Sequence, residues 1–425
     1  MESSNSQKIN KLLPWLCSLI YFMSYLSRKI YSVSVEIIRD TESVEKSIAG
    51  LAITGLFISY GIGQIISGVL GDKINSRKLI AIGMVGTAVC NFGVGIMPQF
   101  SKNIVLVTVL WIINGLFQSF FWPPILKLLS INCTSEYYMK GVSRTVIFSQ
   151  IAEILLYLIV PASNKLFNNW RISFITISVM CVMVAVIWWF NTKNVQSGVV
   201  IPKKNIETHR YTSKALMAAL IASGLLLYSI PIVIMGMIRD GVTTWAPSFT
   251  RETFNISKEL SILITVVIAL LSMIGIKISG AIQKKINNEM ITSTLFFGTA
   301  TVCMVLLMFF YDKVAILTTV LMAISIACMH GTNLMLIGCI PSYFKYTGRV
   351  GTVSGIVNGI IYAGSAISIF GFAKISEKLD WRYVVLIWVI VCALGTLMLF
   401  FNIRRWKRFS GFMIEKTETE TEEAK

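Results

Sequence analysis

The chain is written as long apolar stretches separated by short polar ones. A helix needs roughly 20 predominantly apolar residues to cross the hydrocarbon layer of a bilayer. Twelve runs meet that length: 13–36, 47–70, 78–98, 103–131, 141–163, 170–191, 214–247, 258–283, 290–311, 314–341, 350–376 and 381–404. One polar interval, 192–213, is longer than the others, holds several charges and Pro202, and divides the runs six and six. The pattern predicts an all-α membrane protein of twelve transmembrane helices in two pseudo-symmetric six-helix halves. Residues 1–191 form the N-terminal half, 192–213 a cytoplasmic linker, 214–405 the C-terminal half, and 406–425 a polar, partly acidic cytoplasmic tail.

The two halves repeat one another. Ser67-Gly68-Val69-Leu70-Gly71-Asp72-Lys73-Ile74-Asn75 returns as Ser279-Gly280-Ala281-Ile282-Gln283-Lys284-Lys285-Ile286-Asn287, shifted by 212. Trp170-Arg171 opens the sixth run and Trp381-Arg382 the twelfth, shifted by 211. Several matches at one offset, each at the same place in its half, mark a duplication. Halves related by an axis along the membrane normal place equivalent residues face to face, with the site near the midplane.

Composition agrees with the pattern. Of 425 residues, 55% are hydrophobic and 14% charged, against about 25% charged in a soluble domain. The net charge of +17 does not form the single patch that nucleic acid would require. Basic residues instead occupy alternate loops: Lys8 and Lys11, then Lys73, Arg77 and Lys78, then Lys140, and later Lys284, Lys285, Lys345, Arg349, Arg404 and Arg405. The intervening loops are mixed or acidic, as at Asp40, Glu42, Glu45 and Glu252. That asymmetry predicts a multi-pass protein of the cell membrane with both termini cytoplasmic. The eight cysteines lie mostly in apolar runs without metal spacing, and read as small buried hydrophobes. The first apolar run is too long for a cleavable signal peptide.

Two arginines stand out, because an Arg at the centre of a bilayer costs roughly 2.5–3.5 kcal/mol even on the lenient insertion scale. Arg28 and Arg239 lie inside apolar runs and are 211 residues apart, so they are one feature present in each half. Tyr21, Tyr25 and Arg28 share one helix face at i, i+4 and i+7. Phenol hydroxyls beside a guanidinium make an anion site with directional donors. Neighbouring Lys29 is expected to face elsewhere, or toward the outer aqueous path. Glu153 and Lys277 are candidate coupling groups or structural ion-pair partners, with an arginine of the empty carrier as an alternative partner of Glu153. His330 is a candidate coupling group or a hydrogen-bonded packing histidine.

Three segments resemble a known family. The loop Gly68-Val69-Leu70-Gly71-Asp72-Lys73-Ile74-Asn75-Ser76-Arg77-Lys78 resembles the signature loop of the major facilitator superfamily. That implies a conformational latch of Asp72, Lys73, Arg77 and Lys78 at the cytoplasmic helix ends. Tyr25-Leu26-Ser27-Arg28-Lys29 resembles the first-helix motif of the organophosphate:phosphate antiporters, the group of the glycerol 3-phosphate and hexose 6-phosphate transporters. Gly115-Leu116-Phe117-Gln118-Ser119-Phe120-Phe121-Trp122-Pro123-Pro124 resembles their fourth-helix motif, and Ile238-Arg239-Asp240-Gly241 with Trp245-Ala246-Pro247 their seventh. The resemblance implies that Arg28 and Arg239 clamp a phosphoryl group, with Tyr21, Tyr25, Tyr60, Trp122 and Tyr362 as further substrate-binding residues. The chain departs from that pattern at Gln64, where a lysine is expected, at Gly236, where a tyrosine is, and around Gln150-Ile151, where a histidine is.

No P-loop, dinucleotide fingerprint, HExxH or GxSxG is present, so neither an enzyme nor a cofactor or metal is expected. The expected function is exchange of an organic phosphate for inorganic phosphate by alternating access, in a monomer surrounded by membrane lipid. In the empty carrier the two facing guanidiniums are expected to repel. Two other readings fit the same residues: an organic-carboxylate symporter driven by protons or sodium, and a membrane sensor of sugar phosphates.

Overall fold

In a computed structural model, the described residues are 2–71, 74–97, 103–133, 135–193, 195, 213–347 and 350–423. They are helical almost throughout, and no strand occurs among them. The helices follow the apolar runs in order: α1 Glu2–Glu42, α2 Lys46–Gly71, α3 Ser76–Ile96, α4 in two pieces (Ile104–Gln118 and Trp122–Asn132), α5 Ser135–Phe167 and α6 Arg171–Asn191. The second set is α7 (Ser213–Ala222, then Leu225–Gly236 to Thr243–Phe254), α8 (Lys258–Ile264 and Val266–Ile286), α9 Glu289–Phe310, α10 (Ala315–Asn333 to Ile340–Thr347), α11 Val350–Lys378 and α12 Trp381–Glu423. Ten helices are long and apolar enough to cross a membrane, and the bent α7 makes an eleventh. The 41-residue α1 is the twelfth by length. Its serines, tyrosines, Arg28 and Lys29 lower its apolar character. The linker lies almost wholly outside the described residues.

Local chemistry sets the helix ends. Asn75 accepts hydrogen bonds from the backbone of Arg77 and Lys78 to cap α3, and Asn288 does the same for α9 through Met290 and Ile291. Both caps stand at or next to the ends of the repeated segment. In α4 the helix stops at Gln118 and restarts at Trp122, because Pro123 and Pro124 lack backbone N–H groups and suit only a first turn. In α7 the segment Met237–Val242 widens into a π-helix, a distortion frequent at functional sites.

Within the first six helices, α1 packs on α5, α2 on α4 and α3 on α6; within the second, α8 packs on α10, α9 on α12 and α7 on α11. The sets meet chiefly along α2 and α11, with α5 against α8 and α1 against α7. Glycines permit the closest approaches in the C-terminal half. A Cβ at Gly236 would strike the Ile361 carbonyl, and one at Gly364 the Val233 carbonyl, so α7 and α11 touch backbone to backbone. A tyrosine at position 236 could not be accommodated there.

Because the twelve helices alternate in direction, α1 begins and α12 ends at the same end of the bundle, the termini face. On the opposite face an ion-pair network joins the halves. Lys46 Nζ lies 2.8 Å from Glu252 and donates to Ser376 Oγ at 3.1 Å. Arg251 reaches Asp40 at 2.9 Å and Glu36 at 3.3 Å, and Ser248 donates to Glu36. The Ser47 backbone N–H donates to Glu377, and the Trp381 indole N–H to Glu252, each at 2.8 Å.

Of the latch expected on the termini face, Asp72 and Lys73 lie outside the described residues. Arg77 donates to the Trp189 carbonyl and to Thr192 Oγ1, and stacks over the Trp189 ring at 4.1 Å. Among the described residues it ties α3 to α6 within one half, and Lys78 is exposed. Among the described residues, the charge network between the halves is on the other face.

Candidate functional site

The orientation of α1 is fixed from behind. Ser24 Oγ donates to Gln118 Oε1 at 2.6 Å, and Gln118 Nε2 donates to Ser27 Oγ at 2.9 Å and Thr87 Oγ1 at 3.2 Å. Asn91 donates to the Ser27 carbonyl at 3.1 Å. This buried network holds the serine face of α1 against α3 and α4. Tyr21, Tyr25 and Arg28, about 100° further round the helix, are thereby turned toward the axis between the halves.

Arg28 is 3% exposed. Its guanidinium carbon sits 4.4 Å from the Tyr25 ring centroid and 4.6 Å from that of Tyr60. Tyr60 meets Tyr362 edge-on at 4.4 Å, and Tyr21 lies 5.1 Å from Tyr25 and 5.0 Å from Trp122. All five aromatic residues expected at the site are thus in one cage around or next to Arg28. The aromatic faces offer cation–π attraction but no acceptor. Arg28 Nε and Nη1 are buried without a hydrogen-bond partner. An unpaired buried donor costs about 1–3 kcal/mol, more for a charged group, so an anion that accepts from these N–H groups would relieve that cost.

Arg239 is held differently. Its Nη2 and Nε contact Asp240 at 2.6 and 3.2 Å, and Nη1 donates to Asn333 Oδ1 at 3.0 Å. Asp240 in turn accepts from Ser365 Oγ at 2.7 Å and from Lys29 Nζ at 3.4 Å, while Lys29 also lies 3.7 Å from Glu153. Three expectations are corrected here. Lys29 faces the site rather than away from it. Glu153 pairs with that lysine rather than with an arginine. Arg239 is neutralised by Asp240, so the two guanidiniums do not simply repel.

These groups line a central cavity with Phe57, Thr243 and His330. Its volume of about 10 Å³ is room for roughly one water. The wall carries three basic side chains (Arg28, Lys29, Arg239) and two carboxylates (Glu153, Asp240), a formal excess of one positive charge among these five. His330 forms part of this wall. Lys277 is exposed on α8, outside the cavity, and forms no ion pair among the described residues. No cluster of potential metal ligands occurs among the described residues.

Lys29, Asp240 and Asn333 were missed as site residues. The signal for the first two was present: Lys29 and Asp240 are separated by 211, the offset that relates the arginines.

Comparison with known proteins agrees with this architecture. Residues 17–369 match the family model described as Major Facilitator Superfamily. The membrane sensor protein UhpC of Salmonella typhimurium is 21% identical over 402 residues, covering 89% of this chain and 88% of that protein. A probable hexose phosphate transport protein of Chlamydia pneumoniae is 21% identical over 411 residues, covering 89% and 88%. Among solved structures, the partially occluded inward-open xylose transporter XylE of E. coli superposes with a TM-score of 0.71 at 12% identity, over 93% of this chain and 97% of that one.

Proposed function

The chain belongs to the major facilitator superfamily, whose members are transporters rather than enzymes, and from that premise we propose that it exchanges an organic phosphate for inorganic phosphate. The observation that carries the reading is Arg28, a buried guanidinium with two unpartnered N–H groups, facing Arg239 across a cavity with an excess positive charge. A phosphoryl group supplies several acceptor oxygens in the geometry that a planar guanidinium fork matches. The relatives named for hexose phosphate transport support the same substrate class.

The mechanism follows from the pairs in place. A phosphoryl oxygen fills the free donors of Arg28 and competes with Asp240 for Arg239. Asp240, displaced from the arginine, retains Ser365 and Lys29. Because Lys29 is on α1 and Asp240 on α7, the exchange of partners strengthens a contact between halves. A ligand can shift a conformational equilibrium only by such differential contacts. A cavity with room for one water cannot admit an organic phosphate, so the halves must part to load and unload it. The termini face is taken as cytoplasmic, on the strength of its basic loops.

The test is phosphate-for-phosphate exchange by the reconstituted protein. Arg28→Lys and Arg239→Lys should each reduce it by about 100-fold or more, since a point charge lacks the fork. Full exchange in both variants would overturn the clamp. The similarity to a protein named as a membrane sensor supports a second reading, in which the same site binds without net flux. Tight phosphate binding in the wild type with no exchange would select it.

A further inference from the structure

A second cavity lies on the outside of the C-terminal half, away from the central site. α8 and α9 each pack on α10 but touch one another little. Gly275 lets α8 settle onto α10, since a Cβ there would lie 2.4 Å from the Ala327 carbonyl. The space left between α8 and α9 is a groove of about 330 Å³. Its walls run from Leu271 to Ile282 on α8 and from Leu295 to Thr299 on α9, and its floor is Ala327 and Cys328 of α10. The lining is apolar, and its one hydroxyl, on Thr299, is spent on the Leu295 carbonyl at 3.0 Å. Ile274, Ile278 and Leu295 are about half exposed along it, so the groove opens outward from the bundle.

Length and charge together define what fits. From Leu271 to Ile282 is eleven residues, roughly 16 Å at 1.5 Å per residue. The hydrocarbon core of a bilayer is about 30 Å thick, so the groove spans about one leaflet. Its end nearer the termini face is closed by the short turn between α8 and α9. That turn is held by side chains: Asn288 caps α9, and Thr292 Oγ1 donates to Gln283 Oε1 at 2.7 Å. Just beyond Ile282, the exposed Lys284 and Lys285 stand where the apolar stretch ends and headgroups begin. Lys285 continues the stripe of the groove, at i+3 from Ile282, i+7 from Ile278 and i+11 from Ile274. Neither lysine forms an ion pair among the described residues. Glu289, the nearest acid in sequence, is buried and accepts from the Tyr343 hydroxyl and the Trp406 indole. The repeat places Asp72 where the second half has Lys284, so the doubly basic end belongs to the second half alone.

We infer that this groove is a site for an anionic phospholipid from the leaflet of the termini face, with one acyl chain between α8 and α9 and the phosphate against Lys284 and Lys285. A free phosphate would meet the lysines and leave the groove empty. A zwitterionic lipid would fill the groove and present a headgroup of no net charge. An anionic lipid uses both features. α10 separates this site from the central cavity: Ala327 and Cys328 line the groove, while His330 lines the cavity and Asn333 holds Arg239. A seated chain therefore packs against the helix that positions Arg239, and braces it without entering the cavity.

The experiment titrates the purified full-length chain in detergent with dioleoyl phosphatidylglycerol or dioleoyl phosphatidylcholine, and counts bound lipids by native mass spectrometry. Two lysines, each worth about fivefold toward an anionic headgroup, predict one phosphatidylglycerol held about 30-fold more tightly than phosphatidylcholine. Lys284→Gln combined with Lys285→Gln should abolish that preference, whereas Arg404→Gln combined with Arg408→Gln should leave it within about twofold. Dihexanoyl phosphatidylglycerol, with chains too short to fill the groove, should bind at least about tenfold more weakly than the dioleoyl lipid. A phosphatidylglycerol with a photoactivatable group on its acyl chain should cross-link the unaltered chain at residues 271–299 and 324–328, a readout that depends on no substitution. Equal retention of the two headgroups, a preference that survives loss of both lysines or vanishes with the arginines, equal binding of the short-chain lipid, or cross-links confined to other segments overturns the site. A groove free of cross-links in a chain with the mass of a dimer overturns it in favour of a second copy.

Discussion

Lys46→Met tests whether the ion-pair network opposite the termini face holds the halves closed. Lys46 is 2% exposed and contacts Glu252 at 2.8 Å, Ser376 at 3.1 Å and the Trp381 ring at 4.7 Å. All three partners lie in the other half. They are lost if that face opens, so their energy bears on the closed form alone. An exposed ion pair is worth about 0.2–1 kcal/mol, and a hydrogen bond to a charged group about 1.5–3 kcal/mol. Lys46 is buried while Glu252 is partly exposed, which places the difference near 2 kcal/mol. At 1.36 kcal/mol per factor of ten, the closed-to-open ratio should fall about 30-fold. The assay places a cysteine at Thr243, on the cavity wall, in a background without the native cysteines. The rate of labelling by a membrane-impermeant thiol reagent applied to that face is then measured. It should rise about 30-fold with Lys46→Met. Glu252→Gln should add much less to Lys46→Met than it does alone, because each removes the same contact. An unchanged rate in both the single and the double variant would show that the network does not hold that face shut.

Other outcomes follow from particular contacts. Asp240→Asn frees Arg239 but weakens the bond to Lys29, so inorganic phosphate should bind several-fold more tightly while exchange slows; ligand-dependent thermal shifts and exchange rates measure the two, and weaker binding would contradict the competition between Asp240 and ligand. Gly236→Ala forces a methyl group against the Ile361 carbonyl and should destabilise the protein by about 1–3 kcal/mol. A melting temperature equal to that of the wild type would mean that α7 and α11 are not in backbone contact. Lys277→Gln should leave exchange within about twofold, as expected of an exposed residue outside the cavity; a large loss would restore it as a coupling group.

Helix number and order were legible because a bilayer demands long apolar runs, and the site arginines because charge inside such a run is costly. The aromatic cage was also found, through helical spacing for Tyr21 and Tyr25 and through resemblance for Tyr60, Trp122 and Tyr362. What could not be read was pairing. Lys29 is adjacent to Arg28 and so points about 100° away on an ideal helix, which made it look like a residue of another face. Near the axis between two halves, however, both directions meet protein. Asp240 stands next to Arg239 in the π-helical turn, and only its offset of 211 from Lys29 marked it as a partner. The network around Glu36, Arg39, Lys46, Arg251 and Glu252 read as mixed loops, because sequence does not say that helix ends from opposite halves converge. Lys277 is the reverse case: a charge in an apolar run that the fold directs outward.

Lys29 bonds Asp240, and Asp40 bonds Arg251; each pair joins positions 211 residues apart. These are residues that the internal repeat makes equivalent. In an assembly of two identical six-helix chains, a side chain on the two-fold axis meets its own copy. Lysine would then oppose lysine at one level and aspartate would oppose aspartate at the other. The C-terminal half paired with itself would bring Asp240 onto Asp240 and Arg251 onto Arg251. Each half is thus repelled by its own twin at two levels and attracted to its counterpart at both. Separate coding of the halves made that complementarity available, and copurification of halves expressed as separate chains should yield mixed pairs alone.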